Sequence, residues 1–187
     1  MNEDKGAAVD IVDRPVTDEA VSMIFAASGP GDPELVSLRA ARFLSEATLV
    51  FADVAAVAIA EAFVPPERVI PVDPDQPGAA ADRIKPAIDA MKRGERVVRL
   101  LSGDPALGSS LIGEVGAVRR AKLDVEIVPA VSVITGVPTY AGFGLIGGKA
   151  REVRILDVQD SGIDWENLAS DRTTVVFPDG EIGRAHV

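Results

Sequence analysis

Two short loops carry the residues best suited to hold a small ligand. Gly29–Pro30–Gly31–Asp32–Pro33–Glu34 follows the apolar run 23–27, and Ser102–Gly103–Asp104–Pro105 follows the apolar run 97–101. Glycine lets a ligand approach the backbone, and a helix starting just beyond offers free N–H groups. In an open α/β sheet, ligands settle at the C-terminal ends of the strands, so two such loops could line one crevice. Asp53 closes the apolar run 48–52, where a carboxylate reaches a crevice mouth and could serve in proton transfer. Each feature also has a plainer reading: a tight strand-to-helix turn with Asp32 as its cap, and a solvated turn aspartate at position 53.

The same residues exclude other chemistries. A dinucleotide fingerprint would need glycine where Glu34 stands, and no Gly-Lys-Ser/Thr follows either loop. Ser109 and Ser110 lack a histidine partner, because the sole histidine is His186. No cluster has metal-ligand spacing, so no metal is expected. The pairs Asp73/Asp75 and Asp157/Asp160 read as solvated loops. Arg99, inside an apolar strand, requires a partner or a polar face, and Tyr140 reads as core.

The elements that must position these residues alternate. Strands are expected at 23–27, 48–52, 68–72, 96–101 and 125–128. Between them, Pro33 opens a helix carrying Leu35, Leu38, Ala41 and Leu44 at helical spacing, and further helices cover 55–63, Ile84 to Met91 with a Gly94 cap, and 112–121. This alternation predicts an α/β fold with a mainly parallel sheet. Beyond Pro129 a helix at 132–140, strands at 152–158 and 173–177, and a short helix around 165–169 form a second α/β domain, expected to be incomplete. The domains read as a disordered lead-in at 1–20, an N-terminal α/β domain at 21–130, a partial C-terminal domain at 131–181 and a tail at 182–187. That tail, Ile182–Gly183–Arg184–Ala185–His186–Val187, reads as a translated sequencing adapter.

The chain has 187 residues, 47% hydrophobic and only 4% aromatic, which suits an aliphatic core. Its net charge of −10 disfavours nucleic acid and anionic membranes, though an anionic small molecule needs only a few local cations. Cysteine is absent, in keeping with a cytoplasmic location. The polar, acidic start lacks the basic and apolar regions of a signal peptide, and no run approaches the ~20 apolar residues of a membrane helix.

Three blocks together resemble the tetrapyrrole methylase family. The family opening GPGDP-x-L-x-T-x-x-A stands as Gly29–Pro30–Gly31–Asp32–Pro33–Glu34–Leu35–Val36–Ser37–Leu38–Arg39–Ala40. The block V-x-R-L-x-G-GDP stands as Val97–Val98–Arg99–Leu100–Leu101–Ser102–Gly103–Asp104–Pro105. The third stands as Val125–Glu126–Ile127–Val128–Pro129–Ala130–Val131–Ser132, then Pro138–Thr139–Tyr140–Ala141–Gly142. The resemblance implies two α/β domains with S-adenosyl-L-methionine in the cleft between them, and a homodimer. It implies C-methylation of an anionic tetrapyrrole, foremost uroporphyrinogen III to precorrin-2 on the way to sirohaem and cobalamin. Another precorrin or cobalt-precorrin methyltransferase, or a ligand-binding relic without turnover, are the alternatives. Carried across position by position, the cofactor residues are Gly29, Pro30, Gly31, Ser102, Gly103, Asp104, Ser132 and Val133, and the family's strand-end catalytic aspartate is Asp53. The chain departs from the pattern at Ser102 and Ala130, which replace glycines, in the segment 106–110, and after Gly142, where Leu145–Ile146–Gly147–Gly148–Lys149 replaces a T-H-R motif.

Overall fold

The first strand, β1 (Met23–Ala27), is apolar and buried along its whole length, because it lies inside a sheet covered on both faces. Its neighbours are β4 (Val97–Leu101) on one side and β5 (Val125–Val128) on the other. Beyond β4 come β2 (Leu49–Asp53) and then β3 (Val69–Val72). The computed structural model describes residues 22–107, 110–156, 162–168 and 173–176. The expectations for the lead-in, Ser109, the Asp157/Asp160 pair, the adapter-like tail and His186 lie outside these residues.

The sheet order is β3-β2-β4-β1-β5, with every pairing parallel. The expected fold class therefore holds, since β1 and β4 pair directly at the centre. Alternation along the strands sorts the side chains onto two layers. Ile24, Ala26, Val50, Ala52, Val98 and Leu100 pack with helices α1 (Leu38–Glu46) and α2 (Val57–Glu61). Met23, Phe25, Phe51, Val97 and Leu101 pack with α3 (Ala80–Lys92) and α4 (Ser110–Arg120). Gly113 lets α4 approach α3 closely, since a Cβ there would stand 2.8 Å from that of Ala80.

The helix expected from Pro33 is divided in two. A 3-10 turn covers Pro33–Leu35, and α1 begins only at Leu38 because the Ser37 Oγ accepts the Ala40 N–H and caps it. The buried face of α1 is Ala40, Phe43 and Leu44, whereas Leu38 is exposed. The Ile84–Met91 stripe is buried as expected. Gly94, at φ +89°, ends that helix in a Schellman turn, its N–H donating to Met91 O and the Glu95 N–H to Ala90 O.

The chain divides into two compact units at Ala130/Val131. In the second unit, α5 (Val133–Tyr140) is followed by β6 (Glu152–Ile155), α6 (Trp165–Leu168) and β7 (Thr173–Val176), with β6 and β7 paired in parallel. Tyr140, expected in the core, is 86% exposed at the end of α5. Among the described residues no helix is long and apolar enough to cross a membrane.

The layer beneath α1 gives the first expected outcome. Leu44→Ala should destabilise the protein by about 2–5 kcal/mol, through lost burial and the cavity left behind. Leu38→Ala should stay within about 0.5 kcal/mol. Urea denaturation followed by circular dichroism reads both, and equal midpoints for the two variants would contradict the packing.

Candidate functional site

The two ligand-type loops meet because β1 and β4 are adjacent and parallel. At the strand ends the Ser28 N–H donates to Leu101 O at 2.8 Å, and the Gly29 N–H donates to Gly103 O at 3.2 Å. The Ser28 side chain is buried, and its Oγ accepts the Gly103 N–H at 3.1 Å. Gly29, Gly31 and Gly103 have φ of +75°, +103° and +62°, a region that side chains disfavour. A Cβ built on Gly31 or Gly103 would meet nothing within 4 Å, so both backbones face open space.

The loops are local repeats. Asp32 Oδ1 accepts the Glu34 N–H at 2.9 Å, and Asp104 Oδ1 accepts the Ala106 N–H at 3.1 Å. Each aspartate caps a 3-10 turn that begins with proline, Pro33–Leu35 and Pro105–Leu107. In each, the last residue returns its N–H to the aspartate carbonyl at 3.0 Å. Proline suits this first position, where no backbone donor is required. One Asp104 oxygen is thus committed to its own turn, and Asp32 fills the capping role that its position allowed.

Asp53 lies elsewhere than a solvated turn would put it. It is buried at the end of β2, with Oδ2 accepting the Ser102 N–H at 2.8 Å and Oδ1 accepting from Arg99 Nη2 at 2.5 Å. Arg99 is wholly buried on the same face of the sheet, flanked in register by Phe25 and Phe51. Its other partners are Glu114 on α4, through Nε at 2.8 Å and Nη2 at 3.2 Å, and the carbonyls of Phe51 and Leu100 through Nη1. The five guanidinium N–H donors therefore have five acceptor contacts. Burial works against the charge, but hydrogen bonding and attraction from Glu114, then from Asp53, outweigh it and hold the Arg99 pKa above its ordinary value. Arg83 of α3 stands 3.8 Å from Glu114, so two cations balance two carboxylates.

Ser132 and Val133 lie in the second unit. Ser132 is the N-cap of α5, with its carbonyl accepting the Gly136 N–H at 2.7 Å and its hydroxyl free of any cap bond. Among the described residues no group of three or more His, Asp or Glu could hold a metal ion. The donors at the paired loops are neutral backbone groups. Neither loop contains Lys or Arg, the side chains on which a polyphosphate draws.

A family model described as Tetrapyrrole (Corrin/Porphyrin) Methylases matches residues 22–186. The chain belongs to the tetrapyrrole methylase family. The siroheme synthase of Pseudomonas fluorescens is 31% identical over 165 residues, 83% of this chain and 36% of that protein. The S-adenosyl-L-methionine-dependent uroporphyrinogen III methyltransferase of Methanosarcina barkeri is 28% identical over 161 residues, 80% of this chain and 63% of that one. The crystal structure of uroporphyrin-III-C-methyltransferase from Thermus thermophilus superposes with a TM-score of 0.63 at 26% identity, covering 76% of this chain and 62% of that chain. This tetrapyrrole methylase chain thus spans about two fifths or less of the siroheme synthases it matches.

Ser28 and Glu114 were not singled out from the sequence. Ser28 is a lone polar residue closing an apolar strand, and Glu114 interrupts the apolar face formed by Leu111, Val115 and Val118. Arg99 within an apolar strand calls for a partner or a polar face, and the structure supplies the partner in two carboxylates.

Arg99→Met should leave Asp53 buried without a cation and Glu114 with only the more distant Arg83, and should cost about 3–5 kcal/mol of stability. Ser28→Ala should cost about 1–3 kcal/mol, because the Gly103 N–H loses its acceptor. Guanidinium denaturation checks both, and a wild-type midpoint for Arg99→Met would mean that the ion network is not formed.

Proposed function

We propose that this tetrapyrrole methylase chain is the methyl-transferring part of an S-adenosyl-L-methionine-dependent C-methyltransferase, acting on uroporphyrinogen III to give precorrin-2. The observation that carries the reading is the pairing of Gly29 with Gly103. It sets two open, positive-φ glycine loops side by side, and the family resemblance gives these loops as cofactor positions. When bound, the cofactor supplies an electrophilic methyl group on a positively charged sulfonium. Methyl transfer by in-line displacement demands positioning to within ~3–3.5 Å more than a strong base. Gly29, Pro30, Gly31, Ser102, Gly103 and Asp104 provide that positioning through their backbone. Ser132 and Val133 join them on the strength of their places in the family pattern alone. The sulfonium loses its charge in the transfer, so a bare carboxylate against it would favour the ground state. The backbones of Gly29, Gly31 and Gly103 offer neutral groups instead.

A second reading, methylation of a later precorrin, is favoured by Ser102, which gives the second block the sequence SGDP. The whole protein's substrate, a homodimeric state and a cytoplasmic location belong to the same proposal and rest on the family resemblance.

The full-length gene product incubated with uroporphyrinogen III and S-adenosyl-L-methionine should yield a methylated product whose oxidised form absorbs distinctly. Gly103→Val, which strains a φ of +62° and fills the open space, should abolish S-adenosylhomocysteine binding in a calorimetric titration. Binding without turnover on any tetrapyrrole would show a relic, and turnover only on a precorrin would select the second reading.

A further inference from the structure

Asp53 stands where the family resemblance places a reacting carboxylate, yet its surroundings assign it a different task. The side chain is 4% exposed, and each of its oxygens already accepts a hydrogen bond inside the protein. A group that takes a proton from a substrate must lie within hydrogen-bond reach of that proton, directly or through one water. Here Oδ1 is committed to a guanidinium whose remaining donors are all engaged, and Oδ2 to the N–H of Ser102.

We infer that Asp53 is a positioning residue: it clamps the end of β2 to the first residue of the Ser102–Gly103–Asp104 loop, with Arg99 and Glu114 as the anchor behind it. The chain of contacts runs from α4 to the loop without a gap. Glu114 grips Arg99 at two nitrogens, Arg99 grips Asp53, and Asp53 holds the Ser102 N–H. Ser28 holds the next N–H along, that of Gly103. Two successive backbone amides of one loop are therefore fixed by buried side chains from two different strands, and the loop's shape follows from theirs. The arrangement also directs the Asp53 charge onto Arg99, away from any cation lying on the loop. This inference rests on the proposed cofactor reading, and its ligand is S-adenosyl-L-methionine or the demethylated product.

The test uses the full-length protein with S-adenosylhomocysteine as probe. Asp53→Asn presents an NH2 group where one oxygen stood, so either Arg99 or the Ser102 N–H loses its acceptor. It should weaken S-adenosylhomocysteine binding by about tenfold or more and speed hydrogen exchange at the Ser102 amide. Glu114→Gln leaves Asp53 and the loop chemically untouched, and should move both readouts in the same direction by a smaller factor. Leu44→Ala, which loosens the opposite layer, should lower the denaturation midpoint and leave the probe's Kd unchanged, separating positioning from general stability. Asp53→Asn that binds the probe like the parent and loses only kcat would overturn the inference and restore proton transfer to Asp53. Should Asp53→Asn fail to fold, Glu114→Gln decides alone, and an unchanged Kd would overturn the inference. A parent protein that does not bind the probe would overturn the functional reading instead, an outcome the variants cannot imitate.

Discussion

A guanidinium buried in an aliphatic layer dictates much of this structure. An isolated charge in such a place is prohibitively unfavourable, so Arg99 is tolerable only with carboxylates at its two ends and carbonyls along its side. Each requirement places something. Glu114 sets the rotation of α4 about its axis, and Gly113 beside it lets that helix come close enough to α3. Asp53 sets where β2 ends. The Phe51 and Leu100 carbonyls tie the charge to the strands themselves.

The two faces of the sheet consequently do different work. Beneath α1 and α2 the layer is apolar throughout, and its cohesion is non-directional. Beneath α3 and α4 the apolar layer surrounds an ion network whose geometry is directional. Non-directional packing suffices to hold a sheet together, but it tolerates small sliding movements. The network resists sliding at the strand ends, where the paired glycine loops begin. The side of the molecule that carries charge inside is thus the side that governs the precision of the loops.

Much of this was legible in the residues. Apolar runs marked β1 and β5 to the residue and β4 to within one residue, since β1 lies in a sheet covered on both faces and has nothing polar to offer. That β1 and β4 share one sheet followed from the two loops lining one edge, whereas their direct pairing is seen only in the structure. The division of the Pro33 helix was less visible, since Leu35 and Leu38 fit a helical stripe until Ser37 is recognised as a cap that restarts it. Tyr140 misled because a lone aromatic suggests burial, whereas its exposure is set by where α5 ends. Asp53 could be placed at a strand end but not oriented. Its partner Arg99 lies 46 positions further along, and Glu114, which holds Arg99, lies 15 beyond that; only the parallel crossovers bring them together. Sequence position shows which residue is polar, and topology alone shows what it faces.

The twin Asp-Pro turns have a consequence for how a ligand would meet this protein. Each turn is closed by contacts spanning at most three residues, so its shape is present before anything lands on it. Fixing the backbone of one flexible residue costs roughly 1–2 kcal/mol of conformational entropy, and loops of this kind have already been ordered by folding. Association then carries little of the entropic penalty of induced ordering, and encounter need not wait for a rearrangement. A receptor built this way discriminates by shape: a molecule that does not match the fixed contour of the turns finds no loop willing to move toward it.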